Sequence, residues 1–388
     1  MNANALPSPG ALDGVTVLDL SRLLPGPYCS MILADHGAAV IAIEDKRQYA
    51  ADGLFLPTVQ RNKRHMTLDL KTDAGKEIFM RMARGADVII EGFRPGVAAR
   101  LGVDYDSVRQ VKPDIIYCAI TGYGQTGPCR DQVGHDVNYL ARAGALDLMG
   151  DPDRPPSIPG IQIADIAAGG MNGAIGILLA LYARNRTGRG QYIDIAMTDG
   201  MLAMLPVAHF WHGFSGQAPR RGDHLLGHRY ACYNTYATAD DRAVAVGALE
   251  NRFWRRLCEA MDMAQYADLQ FDEARRAEII DAFRRAFRRH PLSHWETVLG
   301  GQQICVSAVH TLEQALCDPL FRKREMVAQI ETPEDPGETH LGVPIKLSVT
   351  PGTLRTPSAR FGQHTTKILA EYGYSETQIR QLQAQKVV

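Results

Sequence analysis

His135 and Asp165 are the side chains whose surroundings in the sequence best suit proton transfer or nucleophilic attack. GHD at 134–136 sets His135 and Asp136 directly before an apolar stretch that begins at Val137, so either can stand at a helix N-terminus. Asp136 suits a capping role. His135 beside the positive end of a helix dipole would have a lowered pKa and serve as a neutral general base. Asp165 stands in GIQIADIAAGG, an acid among small and apolar residues. A carboxylate is costly to bury there unless it is paired or at work. Its structural role would be to cap the helix starting at Ile166, with Gly169 and Gly170 allowing close packing. Its chemical role would be acid, base or carboxylate nucleophile.

Other motifs carry less. GYGQTG (122–127) matches the G-x-G-x-x-G spacing of dinucleotide-binding turns and follows a predicted strand. Pro128, Cys129, Arg130 and Asp131 then occupy the place where a nucleotide-binding helix needs small apolar residues, so the motif is read as a glycine-rich active-site loop. His209 and His212, and His224 and His228, have helical spacing suited to metal ligation, but no acid or cysteine shares it, and no metal site is expected. Arg284, Arg285, Arg288 and Arg289 form a helix stripe that reads as a solvated face.

The elements that would position these residues alternate in type. VTVLDL, a helix over 28–35, AAVIAIE, a helix over 73–84, DVIIE and DIIYCAI form the pattern of a parallel sheet covered by helices. Right-handed crossovers make a Rossmann-like open sheet the default, with ligands beyond the carboxyl ends of its strands. Two apolar stretches, 137–149 and 166–184, read as buried helices, and YIDIAM as a last strand. The domains are placed at 1–205 for the large α/β domain, 206–227 for a Gly-, Pro-, His- and Arg-rich linker, 228–330 for a smaller α/β domain opening with a strand–turn–strand, and 331–388 for a proline- and glycine-marked tail that ends in a helix over 376–385.

Composition bounds the function. Forty-two basic against forty-three acidic residues give a formal charge of −1, which leaves no whole-molecule footprint for nucleic acid or an anionic membrane. Seven cysteines without a C-x-x-C pair fit a reducing compartment. Without a basic n-region and apolar h-region near the N-terminus, and with AIGILLALYA as the longest apolar run, a cytoplasmic protein without a membrane anchor is expected.

Taken in order, RLLPGPYCSMILADHGAAVIAIE, NKRHMTLDLK, DVIIEGFRPGVAARLG, GYGQTGP, GHDVNYLA, TGRGQYIDIAMTDG and VAVGALE resemble the family III CoA-transferase superfamily (CaiB/BaiF type) from about Leu12 to Glu250. GHDVNYL and GALE are closest to its α-methylacyl-CoA racemase branch. The resemblance implies a Rossmann-like large domain built from both ends of the chain, a smaller domain, and a homodimer of interlinked rings. It places the active site between the large domain of one subunit and the small domain of the other.

It further implies that His135 and Asp165 are an acid/base pair with Glu250 as a third acid, and that Lys63, Arg64, Phe93 and Arg100 hold the adenine or phosphates of coenzyme A. No cofactor is implied beyond the CoA of the substrate. In the transferase branch the carboxylate matching Asp165 is instead the nucleophile, forming an acyl anhydride and then a CoA thioester. A non-catalytic CoA-binding protein is the alternative of another class. Asp45 stands where the family commonly has an adenine-stacking arginine, with Lys46 and Arg47 beside it, and Asn251 follows Glu250 where the racemases usually have proline.

Overall fold

Strand residues of opposite parity face opposite sides of a sheet, and the first half of the chain uses that rule to build two cores. The computed structural model describes residues 10–45, 56–332 and 335–388. Six parallel strands, β1 (Thr16–Asp19), β2 (Ala39–Glu44), β3 (Lys63–Thr67), β4 (Val88–Glu91), β5 (Ile116–Thr121) and β6 (Gln191–Ala196), lie in the order β3-β2-β1-β4-β5-β6. Leu18, Ile41, Ile89 and Tyr117 point to one face; Val17, Val40, Val88, Ile116 and Cys118 point to the other.

Helices cover both faces. On the first, α2 (Asp73–Ala83) contributes Ile78, Phe79 and Met82, and its N-cap Thr72 accepts a bond from Gly75 N at 3.0 Å. On the second, α1 (Pro25–Asp35) contributes Cys29, Leu33 and Ala34, with proline in the first turn where its missing N–H costs nothing. This is the doubly wound strand order, and its topological switch point lies between β1 and β4. The short helix α3 (Val97–Leu101) follows β4. After β5 the glycine-rich stretch leads not to a helix at once but through a loop to α4 (Asp136–Arg142), unlike a dinucleotide fingerprint.

A π-helical stretch, Ala164–Met171, then runs directly into α5 (Asn172–Thr187), and after β6 comes α6 (Met197–Ala203). The run Ala164–Thr187 is long and apolar enough by composition to cross a membrane, yet Ala174, Ile177, Ala180 and Leu181 pack in the second core. The expectation of a wholly buried helix is corrected here: Ile175, Leu178, Leu179 and Tyr182 form an exposed apolar face. The helix expected over 137–149 stops at Arg142, because Gly144 adopts φ +81°, a left-handed conformation that ends it.

The chain divides into two compact units. One comprises the residues up to Gly144, Pro159–Met204 and Pro319–Val388; the other comprises Ala145–Ile158 and Leu205–Asp318. The stretch expected to be a linker over 206–227 instead begins with α7 (Pro206–Ser215), which belongs to the second unit. That unit contains an antiparallel sheet of β7 (Tyr233–Ala237), β8 (Ala243–Gly247) and β9 (Val306–Ala308), with α8 (Asn251–Ala260), α9 (Arg276–Phe287) and α10 (Leu292–Leu299) packed on it through Trp254, Phe283, Phe287 and Trp295.

In the first unit the tail contains an unforeseen hairpin, β10 (Val327–Thr332) and β11 (Asp335–Leu341), then α11 (Thr365–Glu371) and α12 (Glu376–Ala384). Ile368, Leu369 and Ile379 of the last two helices complete the first core beside Met66 of β3. Thr365 Oγ1 accepts from Thr67 N at 3.0 Å, which fixes the tail to the β3 edge of the sheet.

Candidate active site

His135 is the N-cap residue of α4, in extended conformation, and its ring is exposed. Its backbone N–H donates to Asn138 Oδ1 at 3.0 Å, and its carbonyl accepts the Asn138 N–H at 2.8 Å, so the entry to the helix is fixed on both sides of the imidazole. Asp136, next in the chain, accepts the backbone N–H of Asp165 on Oδ1 at 3.0 Å. That bond links the start of α4 to the π-helical stretch, and His135 acts electrostatically on Asp165.

Asp165 is half-buried, and its carboxyl is pushed up to about 6. Burial is the main cause; the like charge of Asp136 adds to it, and His135 pulls the other way. Tyr139, one turn along α4, closes the inner side of the site. It is buried, donates its hydroxyl to Gly134 O at 2.6 Å, and meets the Tyr123 ring edge-on at a centroid distance of 5.3 Å. Its phenol is pushed up to about 12 by burial first and by Asp165 next. A Cβ on Gly122 would lie 2.3 Å from the Tyr139 ring, so the first glycine of GYGQTG is required for this packing.

The π-helical stretch sits where it does because of glycines. A Cβ on Gly169 would fall 2.9 Å from Pro25 Cβ, and one on Gly170 would fall 2.9 Å from Pro25 O. Pairing two glycines therefore lets the Asp165-bearing turn approach the start of α1. α1 is in turn held from below: Lys63 Nζ donates to Pro27 O at 2.8 Å and to Gln60 Oε1 at 3.2 Å, with Asp19 Oδ2 3.8 Å away.

The residues expected to hold CoA fall in different settings. Lys63 is wholly buried, its ammonium engaged as just described and lowered to about 8, chiefly by desolvation. Arg64 is half-exposed and paired with Glu371 of α11 at 2.5 Å. Phe93 and Arg100 follow β4 at the switch point; Phe93 leans on the first core, and its N–H donates to Glu91 Oε2 at 2.5 Å, whereas Arg100 is exposed. Glu91 is itself buried and pushed up to about 7, mainly by desolvation. Glu250 is exposed in the second unit, where it precedes α8 as N-cap and its carbonyl accepts from Phe253 N at 2.9 Å. Asp45 lines a cleft of about 540 Å³ with Asp69, Gln383 and Lys386, while Lys46 and Arg47 lie outside the described residues. Tyr139 and the bridging role of Asp136 are what reading the sequence missed; the glycines at 122 and 134, which make room for a large ring, were the available signal.

A doubly wound parallel sheet with an imidazole and a carboxyl of raised pKa beside the loop that follows its fifth strand defines an α/β protein with a candidate site for acid–base or acyl chemistry. The chain belongs to CoA-transferase family III, whose pattern matches residues 12–365. It is 34% identical over 379 residues to an alpha-methylacyl-CoA racemase of Mus musculus, covering 97% of each chain. It is also 32% identical over 399 residues to a succinyl-CoA–D-citramalate CoA-transferase of Chloroflexus aurantiacus, covering 98% of each. Among solved structures it is similar to a CaiB/BaiF family protein from Brucella suis, with a TM-score of 0.82, 29% identity, and coverage of 94% of this chain and 100% of that one.

Proposed function

We propose that this protein is a 2-methylacyl-CoA racemase or epimerase that works by removing and returning the α-proton. The observation that carries the reading is the junction of His135 with Asp165 through Asp136, with the Asp165 carboxyl pushed up to about 6. Near neutral pH such a pair can hold one partner as base and the other as acid, which a two-face proton transfer requires. His135 takes the α-proton, and the C–H electron pair moves into the thioester carbonyl to give a planar enolate. Protonated Asp165 then delivers a proton to the opposite face; the reverse sequence serves the other enantiomer. The enolate oxygen needs aimed backbone N–H groups, for which the glycine-rich loop after β5 is the candidate. Glu250 is the third acid of this reading. As written, the reaction requires no cofactor beyond the CoA carried by the substrate.

Phe93 and Arg100 at the switch point are the CoA contacts this reading favours, with Arg64 able to join if it leaves Glu371. The working form is a homodimer, a reading supported by the exposed apolar face of α5 and, separately, by Val207, Phe210 and Phe214 exposed on α7. Cytoplasmic location remains part of the proposal, as do the absence of nucleic-acid and membrane partners. The second reading is a CoA-transferase in which Asp165 attacks the donor thioester; the half-burial of its carboxyl and the similarity to CoA-transferases favour it.

One experiment separates the two. The purified protein is incubated with (R)-2-methylacyl-CoA in D₂O, with and without a free carboxylic acid, and followed by mass spectrometry. Deuterium at the α-carbon with loss of chirality, slowed on the order of 10²-fold or more in His135→Ala, supports racemisation. Movement of CoA to the added acid without α-exchange, dependent on Asp165 alone, replaces it with the transferase reading.

A further inference from the structure

Gly96 precedes α3 with φ +80°, a conformation that favours glycine, so no side chain begins at this point. Two cations flank that point. Arg100 Nη1 lies 3.5 Å and Arg130 Nη2 3.8 Å from the position a Cβ on Gly96 would take. They come from different parts of the sheet: Arg100 from the helix after β4, Arg130 from the loop after β5. Among the described residues Arg100 has no carboxylate partner, and Arg130 meets only the exposed Asp131, at 3.8 Å. Arg130 Nε is buried without a hydrogen-bond partner. Two guanidinium groups brought this close without an acid between them repel each other, and an anion placed between them reverses the sign of that interaction.

We infer that Arg130 is a second phosphate-binding residue, closing with Arg100 over Gly96 on a phosphoryl group of the CoA substrate and, through its own loop, placing His135. The inference rests on the acyl-CoA reading above and adds to it a residue and a coupling. The missing side chain at Gly96 gives a phosphate oxygen its approach, and planar guanidinium groups match phosphate oxygens in pairs.

The coupling follows from how the loop is tied. Arg130 sits in a tight turn: its N–H donates to Gly127 O at 3.4 Å, and Gln132 N donates to Cys129 O at 2.9 Å. Arg142 at the far end of α4 donates to Cys129 Sγ at 3.5 Å, so the turn holding Arg130 and the helix capped by His135 form one tied segment. A phosphate that draws Arg130 toward Arg100 therefore acts on the segment that aims the imidazole. Binding energy gained far from the reacting carbon is thereby used to orient the base.

The test compares substrates with and without phosphates on the full chain. CoA and 3′-dephospho-CoA are titrated calorimetrically into wild type, Arg130→Gln and Arg130→Lys, and α-proton exchange is followed on 2-methylacyl-CoA and on the corresponding acyl-pantetheine. Arg130→Gln is expected to weaken CoA about tenfold, the size of one charge-assisted contact, with partial recovery in Arg130→Lys. The preference in kcat for acyl-CoA over acyl-pantetheine should fall by a similar factor. A deficit that persists with 3′-dephospho-CoA assigns the contact to the diphosphate; one that vanishes assigns it to the 3′-phosphate. Unchanged CoA affinity in Arg130→Gln, or an equal loss on both acyl substrates, overturns the inference while leaving the acyl-CoA reading intact. Failure of wild type to bind CoA overturns both.

Discussion

In the proposed proton exchange, Asp136 is placed to tune Asp165 without touching the reacting atoms. It accepts the Asp165 N–H and at the same time raises the Asp165 pKa by like charge. Asparagine in its place can still accept that bond while removing the charge. In the proposed exchange, with the Asp165 carboxyl near 6, the direction in which Asp165 donates should weaken as pH rises through about 6, and the direction in which its carboxylate is the base should weaken as pH falls through it. Asp136→Asn should lower the Asp165 pKa, so both limbs of the pH–rate profile should move to lower pH; an unshifted profile would remove Asp136 from the tuning. His135 and Asp165 stood out in the sequence, the one before an apolar helix and the other among small apolar residues, and the structure sets them near enough to act on each other electrostatically. Tyr139 did not stand out, because a tyrosine on a half-apolar helix looks the same whether its ring meets solvent or a buried acid. The burial of Lys63 was equally hidden: NKR resembles an exposed basic patch, and only the fold puts Pro27 O and Gln60 against the ammonium.

At the level of elements, the position of Asp165 depends on close contact between the π-helical stretch and α1. Gly170 has Pro25 O and the Tyr28 ring, both 2.9 Å from where a Cβ would be, so Gly170→Ala must separate the two elements. Overpacking of this kind costs about 1–3 kcal/mol. Thermal unfolding of Gly170→Ala should show that loss, and its kcat should fall more than that of a control substitution in the second unit; full stability and activity would mean that the contact does not position Asp165. Strands with runs of β-branched residues were readable: β1, β2, β4 and β5 stand close to where their patterns put them. β3 was not, since Lys63, Arg64 and His65 carry no strand signal and become a strand only through pairing with β2. The stop at Gly144 was invisible for a related reason, as a glycine in an apolar run marks a break only when its backbone must turn left-handed.

For the whole molecule, the exposed face of α5 is the feature with the clearest consequence for assembly. Ile175, Leu178, Leu179 and Tyr182 form an exposed apolar stripe with helical spacing, the surface to which the proposed homodimer is assigned. The proposed homodimer should appear as a single species of twice the chain mass in sedimentation velocity, and Leu179→Glu with Tyr182→Glu should shift it toward monomer. A wild-type monomer at micromolar concentration would refute the assembly. The composition of the chain said nothing of this, and it could not reveal that 145–158 leaves the first unit for the second, because such exchanges are set by packing between distant segments.

The tail that fastens onto β3 carries a further consequence, one of timing. During synthesis the six strands of the parallel sheet emerge long before Ile368, Leu369 and Ile379, which share the first core with Met66, Leu68 and Ile78. Until those last helices arrive, the face of the sheet covered by α2 lacks part of its packing, whereas most of the second unit is one continuous segment, Leu205–Asp318. On this arrangement the first core can be complete only after residues 365–384 have been made, later than the continuous segment of the second unit.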